Sequence, residues 1–121
     1  MNDYYERQKQ KARQRAREAI ERGRILLWHD LSSLTPQEVA DAWLAAVAAC
    51  HGDDIAEESL IHYSHGWYLR RTAQRFGDGS IGCPGGLESQ SSMRRDVIEA
   101  SIRELLRRAA AKGDGDAQST E

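Results

Sequence analysis

The segment HYSHGWYLRR, residues 62–71, gathers the residue types from which sites are built. His62 and His65 stand three apart. On a helix that spacing puts two imidazoles one turn apart, within reach of one metal ion. Cys50, His51, Asp53 and Cys83 are the residues that would complete such a ligand set. Neither an HExxH nor a paired CxxC accompanies them. His62 also falls in line with Ile55 and Leu69, where a hydrogen-bonded core histidine is the commoner occupant. His62 and His65 therefore stand as second-rank metal candidates, and no cofactor is expected.

Two other motifs invite a catalytic reading and do not support it. Cys50-His51 pairs a thiol with a base, but neighbours on a helix point about 100 degrees apart and do not face each other. GDGSIG, residues 77–82, matches GxGxxG. The dinucleotide loop of that pattern follows a strand and opens a helix, whereas here it runs on into Cys83-Pro84-Gly85-Gly86 and reads as a connector. No nucleophile, base and orienting acid can be assembled, so no catalytic residue is assigned and an enzyme is not expected.

What the opening segment does hold is interface chemistry. Tryptophan, tyrosine and arginine are the residues that anchor protein contacts. Tyr63, Trp67, Tyr68, Arg70, Arg71 and Arg75 are accordingly the candidate partner-binding set, for a larger protein or for a second copy of the chain. A separate candidate is the basic stretch 7–24. Lys9, Lys11, Arg13, Arg15 and Arg17 at helical spacing suit a phosphate backbone. The plainer reading of that stretch is a solvated face that also meets the acidic middle of the chain.

The charge distribution motivates that plainer reading. The net charge of −2 conceals segments of opposite sign. Residues 1–24 hold eight basic and four acidic residues, 25–69 hold seven acids and no lysine or arginine, 70–112 return to +4, and 113–121 carry −3. Such patches steer an encounter or satisfy one another internally. With 121 residues, 40% hydrophobic and 30% charged, the chain reads as one domain over 1–112 and a disordered acidic tail over 113–121. The longest apolar run, AWLAAVAAC at 42–50, is too short to span a membrane. Two cysteines and a polar N-terminus suggest a cytoplasmic protein with free thiols. The excess of arginine over lysine and the abundant alanine suggest a bacterial or phage origin.

The elements that would position these residues read as all-α, a small bundle of about four helices. A long basic helix spans 3–27, with Tyr5, Ala12, Ala16, Ala19 and Ile20 as a weakly packing stripe. Gly23 weakens it, and ILLW at 25–28 is expected inside. LTPQE, 34–38, is a capping box with proline at the first helical position, opening a central helix that Gly52 ends. Asp53 or Asp54 caps a third helix, with Glu57 and Glu58 in its first turn, running to Phe76. A Gly-rich loop at 77–92 follows, with room for a short hairpin at Asp78-Gly79. Ser92 opens a last amphipathic helix with Met93, Val97, Ile98, Ile102, Leu105, Leu106 and Ala109 inward, and i,i+4 ion pairs Arg95/Glu99, Glu99/Arg103 and Glu104/Arg108 outside.

Together these features point first to a small non-catalytic interaction protein of bacterial or phage accessory type. One form of it inhibits nucleic-acid machinery in the anti-defence manner, with the acidic 30–58 segment standing in for a phosphate backbone. The alternatives are a nucleic-acid-binding regulator working through 7–24, and a metal-dependent enzyme around His62 and His65.

Overall fold

The computed structural model describes residues 2–83 and 91–119, with side chains for 3–83 and 91–112. The second half of the loop expected at 77–92, residues 84–90, lies outside the described residues. The central element is helix α2, Pro36–His51, opened as the sequence implies. Thr35 accepts from the Glu38 N–H at 3.2 Å, Glu38 accepts from the Thr35 N–H at 2.9 Å, and Pro36 sits in the first turn. Gly52 closes α2 with φ of 103°, a conformation that suits glycine. Every residue from Val39 to Ala48 is buried.

Helix α1, Asn2–Leu26, crosses α2 at Gly23. A Cβ at Gly23 would lie 2.1 Å from the Asp41 carbonyl oxygen and 2.9 Å from the Ala45 Cβ. Gly23 is therefore the point of closest approach between two backbones rather than a weak spot in the helix. Leu26 and Leu27 are half-buried as expected, but Ile25 is 68% and Trp28 91% exposed. Packing against α2 fixes which side of the ILLW segment turns inward, and only two of its four residues lie there.

The all-α expectation fails after residue 58. The third helix, α3, is only Asp53–Glu58, with Gly52 rather than an aspartate side chain at its start. Two strands follow, β1 (Leu60–Ser64) and β2 (Trp67–Arg71), paired antiparallel with Ser64 opposite Trp67. His65 and Gly66 form the two-residue turn, with φ of 53° and 88°. Positive φ at both positions is what a type I′ hairpin requires, and histidine tolerates it better than most residues. A second small hairpin joins β3 (Gln74–Arg75) to β4 (Ile81–Gly82) around Asp78-Gly79. Strand β5 (Ser91–Met93) then pairs with β2, giving a three-stranded antiparallel sheet in the order β1-β2-β5. The protein is thus mixed α/β, not a helical bundle.

Helix α4, Arg95–Ser119, begins three residues later than its sequence suggests because Ser91–Met93 are spent on the strand. Ile98 and Ile102 are fully buried, Leu105 and Leu106 pack on the core, and Val97 stays 45% exposed. The three i,i+4 ion pairs are present. Its backbone continues to Ser119, past the end read from the sequence. Arg95 ties α4 to the turn Leu31–Ser33 by donating to the carbonyls of Leu31 (2.8 Å) and Leu34 (2.6 Å). The core joins α1, α2, α4 and the inner face of the sheet through Ile20, Val39, Trp43, Val47, Tyr68, Ile98 and Ile102.

Gly23→Ala should destabilise the protein by about 3 kcal/mol, because the clash is with backbone and neither helix can give way. Gly66→Ala, in an open turn, should cost only about 1 kcal/mol. Urea unfolding of both variants checks the difference. Burial, and then the Lys112 charge, hold His51 below its usual 6.5. The unfolded chain therefore takes that proton first, and stability should begin to fall as pH drops through 6.5. Arg107 and Arg108 hold Glu104 at about 2 instead of 4.5. Its contribution is present above pH 4.5 and lost as pH falls towards 2. The first phase should vanish in His51→Gln and the second weaken in Glu104→Gln, read from unfolding midpoints at stepped pH.

Candidate functional site

The β1–β2 hairpin sorts the residues of the opening segment onto two faces, because alternate side chains of a strand point opposite ways. The inner face carries Ile61, Tyr63, Tyr68 and Arg70. Tyr68 is fully buried and donates its hydroxyl to the Pro36 carbonyl at 3.1 Å. Tyr63 packs on it with ring centroids 4.9 Å apart. Arg70 lies over the Trp43 ring at 5.6 Å and donates to Ser101 Oγ at 3.1 Å, an oxygen that also receives the Trp43 indole N–H. Burial pushes the Arg70 pKa down. Three of the six candidate interface residues, Tyr63, Tyr68 and Arg70, are therefore structural. A fourth, Arg75, pairs with Asp54.

The outer face holds the other two, Trp67 and Arg71, with Leu60, His62 and Leu69. Leu60, Trp67 and Leu69 are 45%, 45% and 41% exposed. His62 stands opposite Leu69, and Ser92 flanks Leu69 on the other side. Arg94, in the flank of β5, lies over the Trp67 ring at 5.6 Å. Arg71 sits at the margin, where α1 and α3 border the sheet in a cleft of about 320 Å³ that Lys9, Arg13, Glu57 and Glu58 also line. Among the described residues no carboxylate pairs with Arg71, and its buried Nε has no hydrogen-bond partner. No acidic residue lies on the outer positions of the three strands.

The histidines are not placed as a helix would place them. His62 is on β1 and His65 is in the turn, bonded through Nδ1 to Ser64 Oγ at 2.7 Å. Cys50 is buried on α2, while Cys83 lies beyond β4 with its thiol 3.5 Å from the Glu58 carbonyl. Among the described residues no three histidines, cysteines or acids come together as a metal cluster. GDGSIG lies in the β3–β4 hairpin and on β4, with Asp78 accepting from Ser80, and opens no helix.

The charged segments largely satisfy each other. Arg13 pairs with Glu58, Arg17 with Glu57, Arg22 with the buried Asp41 and Arg24 with Asp53, at 3.0, 2.8, 3.0 and 2.7 Å. Asp54 pairs with Arg75, Asp30 accepts from Ser32, and Glu38 closes the capping box. All seven acids of 25–69 are thereby engaged, five of them by arginines. Of the five basic candidates, Arg13 and Arg17 are held by α3, Lys9 faces the cleft, and Lys11 and Arg15 point outward.

The open sheet face shows in the sequence only as two alternating sets in residues 60–71, each with three large apolar or aromatic residues, about His65-Gly66. No family model, curated protein or solved structure matches this chain. Adjacent substitutions should separate the two faces. Tyr68→Ala should cost about 3–5 kcal/mol, whereas Trp67→Ala, on the open face, should cost less than about 1 kcal/mol. Thermal or urea unfolding of the two variants measures this.

Proposed function

We propose that this chain is a small non-catalytic binding protein that captures a larger protein through the outer face of its three-stranded sheet. The observation that carries the reading is that face itself. Leu60, Trp67 and Leu69 stand together and open, with Arg71 and Arg94 at its margins. An antiparallel sheet commonly leaves one face to water, with polar residues on it; here α2 and α4 cover one face and the open one carries large apolar residues. Three strands spaced about 4.8 Å apart span about 10 Å, the width of one helix. The occupant that fits is an amphipathic helix of the partner. Its apolar side would lie on Leu60, Trp67 and Leu69, and its carboxylates would meet Arg71 and Arg94. Two aliphatic side chains beside one aromatic favour a protein over nucleic acid, whose bases want aromatic stacking partners.

No helix of the described residues is long and apolar enough to cross a membrane. The free thiols of Cys50 and Cys83 fit a cytoplasmic setting. A bacterial or phage accessory protein with this face would act by occupying a functional surface of its partner, as an inhibitor of nucleic-acid machinery does.

The test places a photo-crosslinking residue at position 69, isolates the crosslinked protein, and measures its binding in purified form. Crosslinks should fall on an acidic amphipathic helix, and Trp67→Ala and Arg71→Gln should each weaken binding about tenfold or more, as hot-spot residues do. Crosslinks from position 28 but not from 69, or affinity indifferent to both substitutions, would remove the sheet face from the reading.

A further inference from the structure

The first half of α1 buries no side chain in the core. Every side chain from Asp3 to Arg15 is exposed, and before Ala16 the helix meets the body only along one side, where Lys9, Ala12 and Arg13 border α3 and the sheet edge. A segment this polar and this short is marginal as a helix in water on its own, and its few apolar residues, Tyr4, Tyr5 and Ala12, stay exposed, so its composition reflects something other than a core. One stripe of it is chemically distinct. Arg7, Lys11 and Arg15 recur every four residues, on successive turns, about 6 Å apart along the axis. Among the described residues none of the three has an ion-pair partner. Gln10 and Gln14 stand beside them in the same shallow groove, and Glu18, accepting from Gln14 at 3.3 Å, closes the stripe at its C-terminal end.

From this arrangement we infer that Arg7, Lys11 and Arg15 form a site for the phosphate backbone of duplex nucleic acid. The companion cations mark the contrast. Arg13 and Arg17, on the neighbouring side of the same helix, are used to hold α3 through Glu58 and Glu57. The outward stripe has no structural use. It also has no apolar residue among its lining side chains, whereas a protein interface needs an apolar centre. Cations with amide donors and nothing apolar is the composition that meets phosphate oxygens without reading bases. The stripe runs along the helix axis, and no aromatic stands between its cations. That suits a duplex, with one negative charge per about 1.7 Å of axis, better than a single strand that must stack. The site is independent of the sheet face, since it shares no residue with it.

The experiment is fluorescence anisotropy of the full chain with a labelled duplex DNA of about 20 base pairs across a salt series. Three phosphate contacts give a slope of about −2.7 in log affinity against log salt, so binding should weaken about 40-fold between about 50 and 200 mM. Arg7→Gln, Lys11→Gln and Arg15→Gln together should reduce affinity at least about tenfold and flatten the slope. The unfolding midpoint should not move, because these side chains have no partner in the fold. Trp67→Ala should bind DNA as the parent does, which keeps this outcome separate from that of the sheet face. Absence of binding at about 50 mM salt, or a triple variant that binds like the parent, would overturn the inference. Capture of polyglutamate through the same stripe without DNA binding would overturn it too, in favour of an acidic protein.

Discussion

The contact on which the rest of this structure depends is the approach of α1 to α2 at Gly23. With no side chain there, the α1 backbone rests against the Asp41 carbonyl, and the small faces of Ala19 and Ala45 close the interval. Arg22, next to that contact, pairs with Asp41, whose side chain is 5% exposed, at 3.0 Å. Exposed ion pairs contribute little individually. The series Arg13, Arg17, Arg22 and Arg24 against Glu58, Glu57, Asp41 and Asp53 is therefore best understood as fixing the rotation of α1 on α2 and α3. Backbone proximity supplies the dispersion and apolar burial, and the charges choose the register.

That rotation decides what α1 shows to solvent. Turning Arg13 and Arg17 inward to α3 leaves Arg7, Lys11 and Arg15 outward, and it leaves Ile25 and Trp28 uncovered at the other end. The same docking brings Lys9 and Arg13 alongside Leu60 and Arg71, so the open sheet face is bordered by α1 at one edge. A single helix thus sets the charge of two separate surfaces. In a chain with net charge −2, segregation of this kind keeps cations available on one side of a helix while the other side holds the fold together.

Much of the helical framework was legible because its signals are local. The Thr35-Pro36-Glu38 box, the Gly52 terminus and the i,i+4 pairs of α4 each lie within four residues of chain. The internal pairing of basic and acidic segments was legible as a proposition from charge sums alone, and the ion pairs show its geometry. Gly23 was misread because its role depends on α2, eighteen residues and more away. Ile25 and Trp28 were misread for the same kind of reason: hydrophobicity states a preference for burial, but the orientation of α1 determines which residues of ILLW receive it.

The sheet was hidden by a different cause, and that cause is connected to the site. A half-buried strand announces itself by alternation of apolar and polar residues. In LIHYS and WYLRR the inner set is Ile61, Tyr63, Tyr68 and Arg70, and the outer set is Leu60, His62, Ser64, Trp67, Leu69 and Arg71. Each set carries three large apolar or aromatic residues, so the period of two disappears and a helical wheel fits as well. Had the outer positions been lysine, glutamate and threonine, the hairpin would have been plain and its face would have been merely solvated. The apolar outer residues that erased the strand signature are the ones that leave a sheet face open for a partner. An apolar run that fits helix and strand equally, broken by a two-residue turn such as His65-Gly66, therefore signals a strand pair with apolar chemistry on both faces.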